Sequence, residues 1–516
     1  MSELQLWRQA ETWLAAGRLV DAGNAYSQLV QSPSFAPVAR LRLSLISSQM
    51  RRHREATEHA LAAYRVRQND PDLMAMLSKR LFSLGEIQKA IECATSPAVM
   101  ASTEPSVPAE LGKLMSDAFE PMHALTLLRR ARALGLDSAG MNYLIGICLM
   151  YCGEREQAKA ELQMCLQKSP NYARAFWALS KLSGRAGQGE RIDAMQKALA
   201  QETETAARVL LGYALFKELD APGNEATAWQ ALEQAMRTRR SVIHYSSDEE
   251  GKLFDFLHQQ RLPIAVNASA PQGPQPVFIV GMPRTGTSLL EGLLARHVDV
   301  VDAGELHDLV LQLRWECDLQ GGAYLDLPLA QRASSADFAR LGERYLAHTQ
   351  WRAGSARWYT DKMPANHFNL GYIAAALPHA RIIHMMREPM DTCFSSLKEP
   401  FAGAYPHSYD QVEMATHFLR YRKLMAHWRQ YMPGRILDVA YEELVQHPET
   451  TMARVLDYLD LPPDQNVASR EGVAGALTTA SANQLREGIH NRYVGQYERY
   501  AAYLDPLKQA ISRETI

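Results

Sequence analysis

Residues 277–297 read VFIVGMPRTGTSLLEGLLARH. The apolar run from Val277 to Val280 has the length of a buried strand, the Gly/Pro/Thr stretch interrupts it, and an amphipathic helix is predicted from about Ser288. Strand, anion loop and helix in that order let backbone N–H groups and the hydroxyls of Thr285, Thr287 and Ser288 surround a phosphate. The macrodipole at the helix N-terminus favours its negative charge. Arg284 adds a fixed positive fork. Gly281 and Gly286 satisfy the first part of the GxxxxGK[ST] pattern, but Thr287 stands where a triphosphatase needs lysine. Without that point charge a β,γ-phosphate pair is poorly served, so nucleotide hydrolysis is set aside in favour of binding a single phosphate-like group.

Immediately upstream, HQQRLPIAVNASAPQGPQP is irregular, with four prolines between Pro263 and Pro276, and reads as the end of a linker. Before it the chain has an internal period. Alanines stand at Ala22, Ala56, Ala90, Ala124 and Ala158, each 34 residues after the last, with Ile192 as a missing beat and Ala226 after it. Gly17, Gly85, Gly153 and Gly187 fall five residues before members of that series. The clearest unit runs from Asn142 to Pro170, where Gly146 and Ala158 let two helices approach, Gly153 turns the chain and Pro170 stops it. One such hairpin cannot bury its own apolar face, so several must stack. Spacing and residue types resemble the tetratricopeptide repeat, with seven units across roughly residues 3–238. The resemblance implies an all-α superhelix whose concave face holds a peptide or a partner protein, or serves only assembly.

Downstream of the anion loop, Glu305 in AGEL lies just past the next apolar segment. Lys362 in DKMPAN follows the strand-like Trp358–Thr360. Arg387 in MMREPMDTCFSSL ends the apolar run from Arg381 to Met386, at the carboxyl edge where α/β sheets bind ligands, and Ser395 falls on the helix after it. PRTGTS, AGEL, DKMPAN and MMREPMDTCFSSL occur in the order found in sulfotransferases. From about Val277 to Leu507 the chain resembles their tyrosylprotein type.

That resemblance implies a P-loop-like parallel α/β domain using 3′-phosphoadenosine 5′-phosphosulfate (PAPS) as donor, with no metal. It implies that Arg284, Thr285, Gly286, Thr287 and Ser288 hold the 5′-phosphosulfate and that Arg387 and Ser395 hold the 3′-phosphate. Glu305 would be the general base, with His307 and His297 as fallback bases. Lys362 and Arg284 would stabilise charge as it develops on the leaving group. Tyr441, Ser481 and Arg486 match positions at the donor or the reacting centre. Gln496 and Tyr497 stand where relatives more often carry a basic residue and tryptophan, leaving Arg492 or Arg499 to complete the nucleotide clamp. The acceptor implied is a tyrosine of a peptide or protein, with a sugar, lipid or natural-product hydroxyl, or a silent binding scaffold, as the alternatives.

Composition bounds these readings. The 516 residues are 47% hydrophobic and 22% charged, and 55 Lys and Arg face 57 Asp and Glu. A formal charge of −2 excludes a molecule built to coat nucleic acid. The six cysteines form no CxxC pair, so neither a zinc framework nor a disulfide scaffold is expected, and Cys148 and Cys152 read as core residues. No apolar stretch approaches a membrane span and the first residues lack a signal-peptide layout, so a cytoplasmic protein, free to form homo-oligomers, is expected. The boundaries drawn are residues 1–240 for the repeat array, 241–274 for the linker and 275–516 for the sulfotransferase domain.

Overall fold

The computed structural model describes residues 1–182, 188–264, 272–401, 403–472, 486 and 488–513. Its N-terminal half is made of helical hairpins: α1 (Glu3–Ala15) with α2 (Leu19–Leu29), α3 (Ala36–Gln49) with α4 (His53–Arg65), and α5 (Pro71–Ser83) with α6 (Ile87–Ala94). After the short α7 (Pro97–Ala101) come α8 (Ser106–Asp117) with α9 (Pro121–Ala133) and α10 (Ala139–Cys152) with α11 (Arg155–Lys168). Then follow α12 (Ala173–Leu182), α13 (Gln188–Gln201), and α14 (Thr205–Leu219) with α15 (Glu225–Arg240). These are tetratricopeptide-like units.

The 34-residue lattice has a direct physical cause. Ala22, Ala56, Ala90, Ala124 and Ala158 are each the fourth residue of a second helix and each fully buried. Twelve residues earlier, on the first helix, stands a matching small residue: Ala10, Ser44, Ser78, Gly112 and Gly146. Ser44 and Ser78 donate their hydroxyls to the carbonyls of Ala56 and Ala90 at 2.6 and 2.8 Å. A Cβ on Gly146 would lie 2.9 Å from Leu162 Cγ, so the α10–α11 crossing admits no larger side chain. Gly17, Gly85 and Gly153 all have positive φ, as the turns require; Gly187 lies outside the described residues. The last beat differs from expectation. The turn over residues 220–224 shifts α15, so Ala226 is exposed and Ala228 takes the buried fourth position.

Next come α16 (Ser247–Gln259), β1 (Gln275–Gly281), α17 (Thr287–Leu294), β2 (Val300–Val301), α18 (Asp308–Glu316), α19 (Leu327–Arg332), α20 (Phe338–Thr349) and β3 (Trp358–Asp361). α21 (Leu370–Ala376), β4 (Arg381–Met386), α22 (Pro389–Leu397), α23 (Gln411–Tyr431), β5 (Ile436–Ala440), α24 (Tyr441–Gln446) and α25 (Pro448–Tyr458) follow, with a last helix at Asp505–Ser512. The five strands are all parallel in the order β2-β3-β1-β4-β5. β1 is buried along its whole length, as a central parallel strand covered on both faces must be. One face packs Val277, Ile279 and Ile383 against Leu290 and Leu293 of α17 and Met452 and Val455 of α25.

Part of the expected linker is a docked helix. α16 buries Leu253, Phe254 and Leu257, with the Phe254 ring 5.0 Å from that of Phe368.

Packing divides the chain into two compact units, Met1–Asp137 with His307–Thr349, and Ser138–Leu306 with Gln350–Ile516. Within the first, Arg54 of α4 explains why the inserted helices belong with the early hairpins. Its backbone N–H donates to Asp318 Oδ1 at 2.9 Å, its guanidinium donates to the carbonyls of Trp315 and Glu316, and it stacks on the Trp315 ring. Within the second, α10–α16 share one unit with the sheet. Among the described residues, no helix is long and apolar enough to cross a membrane.

Candidate active site

The chain leaves β1 toward β2 and β3, and leaves β4 toward β5 on the other side. The carboxyl ends of β1 and β4 therefore flank a switch point, where a parallel sheet opens a crevice. The loop between β1 and α17 fills it. Arg284 has φ +70°, and Gly286 has φ +98° as the N-cap of α17. A Cβ on Gly286 would sit 2.6 Å from Tyr441 Cδ2, so both conformation and space demand glycine. Thr285 turns its hydroxyl inward to the Met282 carbonyl at 2.8 Å, and Thr287 and Ser288 are buried in the first turn of α17.

On the β4 side, Arg387 donates from Nη1 to the Arg284 carbonyl at 3.1 Å and lies over the Tyr441 ring at 4.8 Å. Arg284 Nε in turn lies 3.4 Å from Ser395 Oγ on α22. Arg284, Tyr441, Arg387 and Ser395, far apart in sequence, thus meet at one place. Arg387 Nε is buried with no hydrogen-bond partner, which suits a site that receives an anion. Asp391 closes this side. Its carboxylate accepts from the backbone N–H groups of Gly495 and Tyr497 at 2.7 and 3.2 Å, and Arg387 lies 3.3 Å away.

On the β3 side, Lys362 Nζ donates to Glu305 Oε1 at 2.6 Å, and its backbone N–H donates to the Gly304 carbonyl at 2.8 Å. Lys362 is 1% exposed, whereas Glu305 is 29% exposed and can meet a ligand. Burial pushes the Lys362 ammonium toward neutrality, but Glu305 and Glu291 outweigh it and hold the pKa above the ordinary lysine value. Glu291 was not anticipated from sequence. It accepts from the Thr360 hydroxyl at 2.7 Å and from the Gly304 N–H at 3.2 Å, and lies 3.9 Å from Lys362. Burial lifts its carboxyl to about 7, with Lys362 and Thr360 restraining the rise. The signal was a lone carboxylate inside the apolar run LLEGLL.

Three more unanticipated groups come from the repeat helices of the same unit. Tyr151 of α10 has its phenol pushed up to about 12 by burial, reinforced by the charges of Glu305 and Glu399. Lys181 of α12 pairs with Glu399 at 2.7 Å. Burial acts to raise the Glu399 carboxyl, but Lys181 and Arg284 prevail and lower it. Lys217 of α14 is open to solvent on one side, yet the protein around it depresses its pKa, opposed by Glu399 and aided by Lys181 and Arg284.

Other expected residues are placed as follows by their partners. Arg486 donates to the carbonyls of Met150 and Tyr151 at 3.2 and 2.8 Å, at the C-terminus of α10. Ser481 lies outside the described residues. His297 accepts the Asp299 N–H on Nδ1 at 3.1 Å, and His307 is the N-cap of α18 in the other compact unit. Among the described residues, Glu250, His407 and His417 have ligand atoms close enough for a metal. The two imidazoles stack face to face, centroids 3.5 Å and planes 14° apart, so their in-plane lone pairs run side by side instead of converging on one ion.

Residues 276–465 match the Sulfotransferase family. The chain is 25% identical over 406 residues to an uncharacterized protein of Aquifex aeolicus, covering 77% of this chain and 53% of that one. It is 30% identical over 217 residues to protein-tyrosine sulfotransferase 1 of Danio rerio, covering 40% of this chain and 59% of the relative. The chain thus spans little more than half the length of these two relatives. Among solved structures, the sulfotransferase domain of the Synechococcus PCC 7002 olefin synthase aligns at 18% identity and a TM-score of 0.35, over 50% of this chain and 99% of that one. Residues 276–465, which match the Sulfotransferase family, thus carry a parallel sheet with a glycine-bounded loop at its switch point, and tetratricopeptide-like hairpins precede them.

Proposed function

We propose that the protein moves a sulfuryl group from PAPS to an acceptor hydroxyl, and that the acceptor is a tyrosine of a peptide or protein. One observation carries the reading: a buried, charged lysine bonded to an accessible carboxylate after β3, next to the loop after β1 whose Arg284 meets Arg387 and Ser395. PAPS supplies a sulfur whose bond to the 5′-phosphate oxygen is replaced by one to the acceptor oxygen. The loop from Arg284 to Ser288 binds the 5′-phosphosulfate, and Arg387 with Ser395 binds the 3′-phosphate. Tyr441, packed against Gly286 and beneath Arg387, fixes both arms of that cradle.

Glu305 takes the proton from the acceptor hydroxyl, a step worth on the order of 10²–10⁴ in rate. Lys362 serves twice: its 2.6 Å hydrogen bond orients the Glu305 carboxylate, and with Arg284 it stabilises negative charge on the departing phosphate. A large acceptor is supported by α12 and α14, whose Lys181 and Lys217 bring charge from the repeats to the neighbourhood of Arg284. The test is transfer from sulfur-labelled PAPS to a panel of tyrosine peptides, glycans and lipids. Label on tyrosine peptides, lost in Glu305→Gln, is expected. Label on glycans or lipids alone overturns the tyrosine assignment, and no transfer to any acceptor despite donor binding overturns the activity.

A further inference from the structure

The C-terminal segment offers Gln496 where a cation was expected, and the neighbouring arginines are used elsewhere. Arg499 pairs with Asp220 at 3.1 Å and Glu225 at 3.2 Å, while Arg492 donates to the Tyr493 hydroxyl at 3.1 Å on the exposed edge. The Gln496 side-chain oxygen instead accepts from Lys398 Nζ at 2.9 Å. Lys398 is the C-cap of α22, three residues after Ser395, a spacing that makes two side chains neighbours on one side of a helix. Its ammonium lies over the Phe394 ring, Nζ 4.3 Å from the centroid, a cation–π contact that holds it in place.

This inference rests on the donor reading above. We propose that Lys398, backed by Lys217 of α14, is the cation missing from the C-terminal segment, that it binds the 3′-phosphate end of the donor nucleotide beside Arg387 and Ser395, and that it makes the site select a 3′,5′-bisphosphate over a 5′-monophosphate. The charged groups facing Lys398 are Arg284 of the anion loop, Arg387 after β4, and Lys217 and Asp220 at the end of α14. Of the nearby carboxylates, Asp220 is shared with Arg499, Asp391 pairs with Arg387 and Glu399 pairs with Lys181, so with Lys398 and Lys217 the cations remain in excess, and a phosphate dianion cancels that excess. Withdrawal from water, opposed by Asp220 and reinforced by the three cations, pushes Lys398 down to about 7. A bound phosphate reverses that imbalance, so the amine takes up a proton as the nucleotide binds.

Calorimetric titration of the full chain with adenosine 3′,5′-bisphosphate at pH 8, in two buffers of different ionisation enthalpy, reads affinity and proton uptake together. Wild-type protein is expected to take up about one proton on binding. Lys398→Gln is expected to lose that uptake and weaken the bisphosphate about tenfold or more, while adenosine 5′-monophosphate changes by less than about twofold. Lys398→Arg should keep the bisphosphate preference yet lose the uptake, because a guanidinium does not titrate. It also stands in if the glutamine variant fails to fold. Unchanged affinity in Lys398→Gln, equal loss for both nucleotides, or uptake retained in Lys398→Arg overturns the assignment. Failure of the wild-type chain to bind the bisphosphate at all overturns the donor reading itself.

Discussion

Lys362 and Glu305 form a 2.6 Å ion pair in which the cation is sealed and the carboxylate is not. Such an asymmetric pair makes Glu305 the half that can exchange a proton with a ligand.

Glu305→Gln should therefore abolish transfer, by on the order of 10²–10⁴ in turnover, with donor affinity little changed. Single-turnover assays with a parallel binding titration measure both. Near-normal turnover would move the base to another residue.

Glu291 gives a signature in stability. Its carboxyl, raised to about 7 in the folded protein from an ordinary 4.5, binds more protons folded than unfolded between those pH values. Stability from this group is therefore greatest below about pH 4.5 and is lost as pH rises toward 7, by on the order of 3 kcal/mol. Glu291→Gln should flatten that slope in denaturant titrations run from pH 5 to pH 8. A slope identical to wild type would mean that the buried carboxyl is not protonated.

Arg387→Ala should weaken adenosine 3′,5′-bisphosphate by about tenfold or more, since a charge-assisted hydrogen bond contributes about 1.5–3 kcal/mol. Adenosine 5′-monophosphate should be comparatively spared. Equal losses in a competition assay would remove Arg387 from the 3′-phosphate.

Gly286→Ala tests the loop itself. With φ +98° and a Cβ 2.6 Å from Tyr441, the alanine should cost about 1–3 kcal/mol in backbone strain and displace the ring. Urea unfolding should show the loss of stability, and nucleotide titration a loss of affinity. A variant as stable and as tightly binding as wild type would show that the loop relaxes freely.

A chain beginning at Gln260, inside the linker that composition suggests, should not unfold cooperatively. It lacks α10, whose carbonyls hold Arg486, Lys181, which pairs with Glu399, and the buried Leu253 and Phe254 of α16. A sharp thermal transition by circular dichroism, with nucleotide binding intact, would show that the sheet stands alone.

Much of this was legible in the sequence because the residues carry their meaning locally. The apolar run Arg381–Met386 coincides with β4, and PRTGTS announces its loop, since a buried parallel strand and a glycine-bounded anion turn need few other residues to define them. The 34-residue alanine series worked because Ala22, Ala56, Ala90, Ala124 and Ala158 each fill the same crossing. Lys398 and Lys217 were opaque for the opposite reason: a lysine near the end of a helix looks solvated until the tertiary structure surrounds it with other cations. The inserted helices were equally silent. An amphipathic helix such as α20, with Leu341, Tyr345 and Thr349 buried on one face, records that this face is covered, but not which part of the chain covers it.

That insertion bears on how the chain is made. Residues 1–137 share one compact unit with 307–349, so the first hairpins leave the ribosome well before the helices that complete their packing. At ordinary synthesis rates this delay is on the order of ten seconds or more, long against the folding of a helical hairpin. Throughout it, the α4 surface around Arg54 has neither Trp315 nor Asp318 to cover it, and the nascent chain depends on its own solubility, or on a chaperone, until translation catches up.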